Sequence, residues 1–271
     1  MFPSGSSREA VKENGKEISS FAMETYLVLL FALLMLAEAA LALYSHDKSY
    51  NLREAIENIG IGFVSMFIDY GFSLMSYPLL LALYENCSFN AWEKNWPYYL
   101  ILFIALDFTE YWFHRLSHEI PVMWTAHKVH HQSTSFNLSV GMRTSFLIPV
   151  FNVLFYCVLP LLGFHPSDIL FCIFIQGFYQ LLIHTRLVGK LGIIDLLFVT
   201  PSVHRVHHGK NKIYLDKNYG KVLTAWDHLF GTYQKETVAV IYGASDPQGE
   251  KGIWRSQLIP VKKWWRRIRK R

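Results

Sequence analysis

The sequence predicts an all-α protein that crosses a membrane about four to five times, and two observations lead there. The first is composition. Of 271 residues, 52% are hydrophobic, 16% aromatic and only 17% charged, whereas soluble domains average about 25% charged. Mean hydropathy is correspondingly positive, +0.19. The second is that the apolar residues gather into runs, several of them long enough to span a bilayer.

Taken in order, residues 1–20 are polar, mixed in charge and contain Gly and Ser, which reads as a disordered lead. No basic region precedes a short apolar core and no small-residue cleavage site is evident, so a removed signal peptide is not expected. The first apolar segment is Phe21–Tyr44, and the second is Ile59–Tyr84, which carries Asp69. The third, Tyr98–Phe113, is short for a span and runs into His114 and His118. The fourth, Phe146–Phe164, and the fifth, Asp168–Ile183, are joined by the turn His165-Pro166-Ser167 and read as a helical hairpin. Leu191–Val199 is too short to cross and reads as interfacial. This gives a polar lead (1–20), N-terminal membrane helices (21–96), a histidine-motif domain (97–235) and a basic tail (236–271).

Charge placement sets the expected orientation. Arg186, Lys190, Arg205, Lys210 and Lys212 lie on one side of the last span, and the net charge of +5 is concentrated in the tail Trp264-Trp265-Arg266-Arg267-Ile268-Arg269-Lys270-Arg271. The turn from Phe164 to Asp168 has no Lys or Arg. The positive-inside rule then places residues 114–145 and 184–271 in the cytoplasm: endoplasmic reticulum in a eukaryote, inner membrane in a bacterium. The tail reads either as a solvated segment or as a contact with anionic headgroups. Its basic residues form no patch in a soluble domain, which excludes nucleic acid as a partner. Cys87, Cys157 and Cys172 are scattered and odd in number, against a disulfide framework or cysteine zinc site.

Nine of the twelve histidines fall into four groups: His114 and His118; His127, His130 and His131; His184; and His204, His207 and His208. Helical residues three or four apart share a face. His114 and His118 can therefore meet one ion, and in each His-x-x-His-His motif the first residue can pair with both later ones. Neutral imidazole suits iron, copper, nickel and zinc. The sequence lacks the His-Glu-x-x-His of zinc proteases and the Glu-x-x-His of soluble di-iron bundles. Nine nitrogens exceed the four that a structural zinc takes; they suit two ions, each with an open position of the kind at which non-haem iron meets O₂. His46 and His165 stand apart and read as structural, and His228 is unassigned.

Three residues are candidates for supporting the ligands. Asp107 lies two turns before His114 on the same face, Tyr111 lies between them, and Asp195 precedes His204 by nine residues. A carboxylate that accepts the spare N–H of a ligand imidazole fixes its ring and raises its basicity.

These residues resemble the fatty acid hydroxylase/sterol desaturase superfamily. The matching pieces are Asp107-Phe-Thr-Glu-Tyr111-Trp-Phe-His114-Arg-Leu-Ser-His118, His127-Lys-Val-His130-His131 and His204-Arg-Val-His207-His208. The resemblance covers residues 98–235 and implies a di-iron centre, O₂ as oxidant and a lipid substrate reached from the bilayer. Two further stretches, from His131 through Asn137 and Arg143 to Ser145, and from His204 through Gly209, Asn211, Asp216, Asn218, Tyr219, Gly220, Trp226, Asp227 and Phe230 to Thr232, resemble the alkylglycerol monooxygenase-like members. That likeness implies oxidation of the carbon beside an ether oxygen, with tetrahydrobiopterin as electron donor; other members of the superfamily imply a cytochrome b5 or ferredoxin-type donor protein. His228 stands where those members imply a basic Arg or Lys, and the eukaryotic members continue beyond this point with further membrane segments. The competing expectations are a sterol desaturase or sterol methyl oxidase on the same centre, and a metal-binding membrane protein without catalysis. Transport is disfavoured, because the spans are largely apolar and the histidines gather at one face.

Overall fold

The computed structural model describes residues 5–89, 92–244 and 252–269. Among them the architecture is all-helical, and the one β-type pairing is an isolated antiparallel bridge between Phe198 and Leu223. The chain divides into two compact units, Met1–His46 and Asp47–Arg271.

The first unit is a single helix, α1 (Gly5–Tyr44), which begins within the polar lead. Its apolar part, Ala22–Tyr44, is 23 residues long and long enough to cross a membrane, since about 20 apolar residues suffice.

The second unit opens with α2 (Leu52–Cys87), capped by the Asn51 side chain, which accepts the Glu54 N–H. At 36 residues it is the second helix long and apolar enough to cross a membrane. At 1.5 Å per residue it measures roughly 54 Å, well beyond a hydrocarbon core of about 30 Å. Its two ends differ accordingly. Ala55, Asn58, Ile61, Gly62 and Ser65 recur every three or four residues and are buried. Phe67 and Met75, further along, are 80% and 78% exposed, a placement that suits lipid better than water. Gly62 lets a 3-10 turn, Leu138–Met142, approach closely: a Cβ there would lie 2.7 Å from Cβ of Met142.

Helix α3 (Trp96–Glu119) is capped by Asn95 and ends where Pro121 forces Ile120 into an extended conformation. Helix α4 (Pro121–His131) starts immediately after. The apolar stretch read as a fourth span is broken into α5 (Ile148–Tyr156) and α6 (Val158–Leu161). Pro160 explains the break, because it has no N–H to donate to the Tyr156 carbonyl and its ring crowds that oxygen. Helix α7 (Pro166–Leu182) follows. Tyr98, Leu102 and Leu106 of α3 form a core with Tyr156, Leu159, Phe164, Ile169 and Cys172. Cys172 is thus a packed thiol, and all three cysteines are free.

Leu191–Val199 contains a 3-10 turn, Gly192–Leu196, with Ile193 and Leu197 exposed. Three further helices follow among the described residues: α8 (Pro201–His207), α9 (Ala225–Leu229) and α10 (Ile253–Ile268). Lys270 and Arg271 of the basic tail lie outside the described residues.

Candidate metal centre

The nine clustered histidines come from four places. His114 and His118 end α3; His127, His130 and His131 end α4; His184 follows α7; His204 and His207 lie on α8, with His208 as its C-cap. Pro121 and Pro201 start α4 and α8 at their first turns, where a missing N–H costs nothing.

The imidazoles converge in two groups. One is His114, His118, His127, His131 and His207; the other is His130, His184, His204 and His208, and within each the ligand atoms lie within 4.8 Å of one another. Each His-x-x-His-His motif is divided between the groups. On α4 the i,i+4 pair His127 and His131 faces the first group and His130 the second; on α8 the pair His204 and His208 faces the second and His207 the first. The sequence reading paired the leading histidine of each motif with both followers. The structure corrects this, because positions i+3 and i+4 lie about 100° apart around a helix of 3.6 residues per turn and here face different groups.

Hydrogen bonding fixes the tautomers. Nδ1 of His114 meets the Tyr219 carbonyl at 2.8 Å, that of His130 the Arg143 carbonyl at 2.9 Å, that of His184 the Gln180 carbonyl at 2.6 Å and that of His207 the Lys217 carbonyl at 3.0 Å. A carbonyl only accepts, so each Nδ1 carries the hydrogen and, in a neutral ring, each Nε2 is a bare lone pair. Burial keeps the rings neutral: it pushes the imidazolium pKa of His130 down to about 4 and that of His114 to about 3, and holds the others well below the ordinary value. The bare Nε2 atoms of His130 and His184 then face one another at 3.2 Å. Nε2 of His184 also lies 2.8 Å from that of His204, and Nε2 of His207 3.1 Å from that of His131. Nε2 of His118 and Nδ1 of His204 are buried without a partner.

Such convergence is repulsive unless a cation sits among the nitrogens. Metal–imidazole bonds of about 2.1 Å at right angles put neighbouring nitrogens about 3 Å apart, the spacing seen. The donor set therefore fits metal ions. Trp124 lies against His118 and His131, Tyr219 against His114, His118 and His207, and Phe136 against His184, His204 and His208. These rings make a largely apolar wall.

The three candidate supports do not touch the imidazoles. Asp107 accepts the N–H groups of Val222, Leu223 and the Trp226 indole. Asp195 accepts from Leu191, Gly192 and the Thr200 hydroxyl. The Tyr111 hydroxyl pairs with Thr232 and accepts from Arg115. The expectation that Asp107 and Asp195 would receive imidazole N–H groups is corrected: at His114, His130, His184 and His207 backbone carbonyls receive it, and the two carboxylates hold neighbouring loops. His165 caps α7 and His228 stacks on Tyr233.

Sequence reasoning quoted Asn218 and Asp227 only within the alkylglycerol monooxygenase-like stretch and gave them no role. Asn218, at φ +58°, donates to the Val203 and Gln234 carbonyls and accepts the Gln234 N–H. Asp227 accepts from the N–H groups of Tyr219 and Gly220 and from the Thr232 hydroxyl. Together they shape the loop whose Lys217 and Tyr219 carbonyls orient His207 and His114. The available signal was the run Asp216-Lys-Asn218, residue types that tolerate positive φ.

Fold and site thus define an all-helical protein whose clustered histidines could hold metal ions, and two of whose helices are long and apolar enough to cross a membrane. Its family follows from comparison: residues 99–232 match the fatty acid hydroxylase family, and the chain belongs to that family. Human alkylglycerol monooxygenase is 38% identical over 200 residues, 72% of this chain and 44% of that protein. The ornithine lipid hydroxylase of Rhizobium tropici is 33% identical over 52% of this chain and 44% of its own length. A Delta(7)-sterol 5(6)-desaturase of Aspergillus fumigatus is 32% identical over 60% of this chain and 47% of its own length. The chain spans about half the length of the alkylglycerol monooxygenases it matches. No solved structure matches.

Proposed function

We propose that this chain is a membrane monooxygenase that holds two iron ions, one in each imidazole group, and inserts oxygen from O₂ into a C–H bond of a lipid. The observation that carries the reading is the pair His130 and His184, whose Nδ1 atoms are both committed to carbonyls while their Nε2 atoms face each other at 3.2 Å. Bound iron supplies the oxidising chemistry in non-haem oxygenases. The protein's part is to keep nine imidazoles neutral and aimed, and to keep water away with Trp124, Phe136 and Tyr219. Asp107, Tyr111 and Asp195 support the loops around the ligands rather than the ligands themselves.

The preferred substrate is an ether lipid of the alkylglycerol type, oxidised at the carbon beside the ether oxygen; support comes from the relatives' printed names and from the Asn137–Ser145 and Gly209–Thr232 stretches. A sterol ring is the second candidate, on the likeness to the sterol desaturase. Four to five membrane segments with the histidines and the C-terminus in the cytoplasm remain the preferred topology, with the histidine-motif domain at 97–235. A lipid entering sideways between helices keeps its polar head at the interface, so oxidation falls near that end. The electron donor is tetrahydrobiopterin or a donor protein.

Incubating the reconstituted, iron-loaded protein with ¹⁸O₂ and candidate lipids, and locating the label by mass spectrometry, tests this. Label beside the ether oxygen is the expected result. Label only at chain-terminal methyl groups, or label taken from water, overturns it.

A further inference from the structure

We infer that Arg143 is a positioning residue for the four-histidine group and that helix α10, outside the span matched by the family, holds it in place. The inference rests on the reading that both groups bind metal.

Arg143 is 3% exposed, and a buried guanidinium is costly unless its donors are satisfied. Nε donates to the Val129 carbonyl at 2.8 Å, Nη1 to Asn58 Oδ1 at 2.9 Å, and Nη2 to Gln132 Oε1 at 2.7 Å and Ser256 Oγ at 3.0 Å. Glu57 lies 3.5 Å from Nη1 and supplies the countercharge. One side chain thus ties α2, α4 and α10 together. The same residue's carbonyl receives the Nδ1–H of His130. Fixing the guanidinium therefore fixes the acceptor that sets the tautomer and aim of a candidate ligand, the role that carboxylates usually play behind metal-bound histidines.

Helix α10 contributes more than Ser256. Glu57 accepts the Gly252 N–H at its start, Gln257 donates to the Thr144 carbonyl and accepts the Phe146 N–H, and Ser65 of α2 donates to the same Thr144 carbonyl. Ser256 and Gln257 are fully buried, 0% and 1% exposed. The segment 143–146 is thus clamped from both sides by elements outside the histidine motifs. In the five-histidine group, His114 and His207 are aimed by a separate support, the loop shaped by Asn218 and Asp227; Arg143 reaches that group only through its bonds to Val129 and Gln132 of α4 beside His131. Damage to Arg143 should therefore strike the four-histidine group more strongly than the five-histidine group.

The test is a Co(II) titration of the full-length, metal-stripped protein in detergent, following visible absorption. Wild type should bind two equivalents, and His184→Ala should leave one, identifying the five-histidine group. Arg143→Ala should weaken one equivalent by about 10–100-fold, with Arg143→Lys and Ser256→Ala shifting the same equivalent less. Added to His184→Ala, the Arg143 change should weaken the remaining equivalent less than it weakens the four-histidine equivalent in the wild-type background. Equal weakening of both equivalents, or of neither, in folded protein overturns the inference and leaves the metal reading standing. If Arg143→Ala does not fold, Ser256→Ala and Arg143→Lys decide by the same criterion. A wild-type protein that takes up no Co(II) overturns the metal reading and this inference with it.

Discussion

The rings of His131 and His208 stack 4.5 Å apart at 28°, although the two residues belong to different imidazole groups. The two groups therefore share a wall, and both should fill. Protein expressed with iron should contain two metal atoms per chain by elemental analysis. Zinc can replace iron on overexpression, since it outranks Fe(II) in affinity for nitrogen ligands. One metal or none in active protein would contradict the assignment.

Removing one ligand should stop the chemistry without unfolding the scaffold. His130→Ala and His207→Ala should each abolish lipid oxidation while the protein stays monodisperse in detergent. His46→Ala should be nearly silent, because His46 lies outside both groups. Equal damage from His46→Ala and His207→Ala would refute the ligand set.

Asp107 and Asp227 should separate by readout. Asp227→Asn loosens the Tyr219 and Gly220 N–H groups behind the carbonyl that orients His114, so metal affinity at the five-histidine group should fall by about 10–100-fold. Asp107→Asn loosens Val222, Leu223 and Trp226, and should cost about 1–3 kcal/mol of stability with a smaller change in metal affinity. Thermal unfolding and metal titration on the two variants check this. A larger loss of affinity in Asp107→Asn than in Asp227→Asn would return Asp107 to direct support of the ligands.

Acid should destabilise the metal-stripped protein. The ordinary histidine pKa is 6.5, and in the fold it falls to about 4 at His130 and about 3 at His114. Below pH 6.5 the unfolded chain therefore binds more protons than the native one, and stability drops as pH falls toward 4. Melting temperatures of the stripped protein across pH 4–8 should decline on the acid side of that range. A flat profile would argue against neutral, buried imidazoles.

The histidine clusters were legible in the sequence because helical spacing announces shared faces: His114 with His118, His127 with His131 and His204 with His208 all recur at four. The division of each motif was not, since only packing decides which group His130 or His207 faces. The acceptors were illegible for a different reason. A main-chain carbonyl is present at every residue, so nothing marks Tyr219 or Arg143 as the one that receives an imidazole hydrogen. The two membrane-length helices were legible as long apolar runs, the second of them despite Asp69. The break at Tyr156 was signalled by Pro160, which apolarity alone concealed. The segment 264–271 reads as solvated or lipid-facing because its charges dominate the pattern; the buried Ser256 and Gln257 that precede it are uncharged and carried no signal of their own.

Because four of the histidines hand their hydrogen to peptide oxygens, no exchange of a side chain at Tyr219, Arg143, Gln180 or Lys217 deletes the receiving atom. Lys217, whose side chain has no other part in the site, is therefore free to take other side chains so long as the chain path holds, whereas the Arg143 guanidinium and the Tyr219 ring have work of their own. The vulnerable changes are ones that reroute the main chain: a residue inserted into or removed from the loop 216–220, or a proline that swings a peptide plane away. Deep mutational scanning should find that loop tolerant of many substitutions at Lys217 and intolerant of any change in its length.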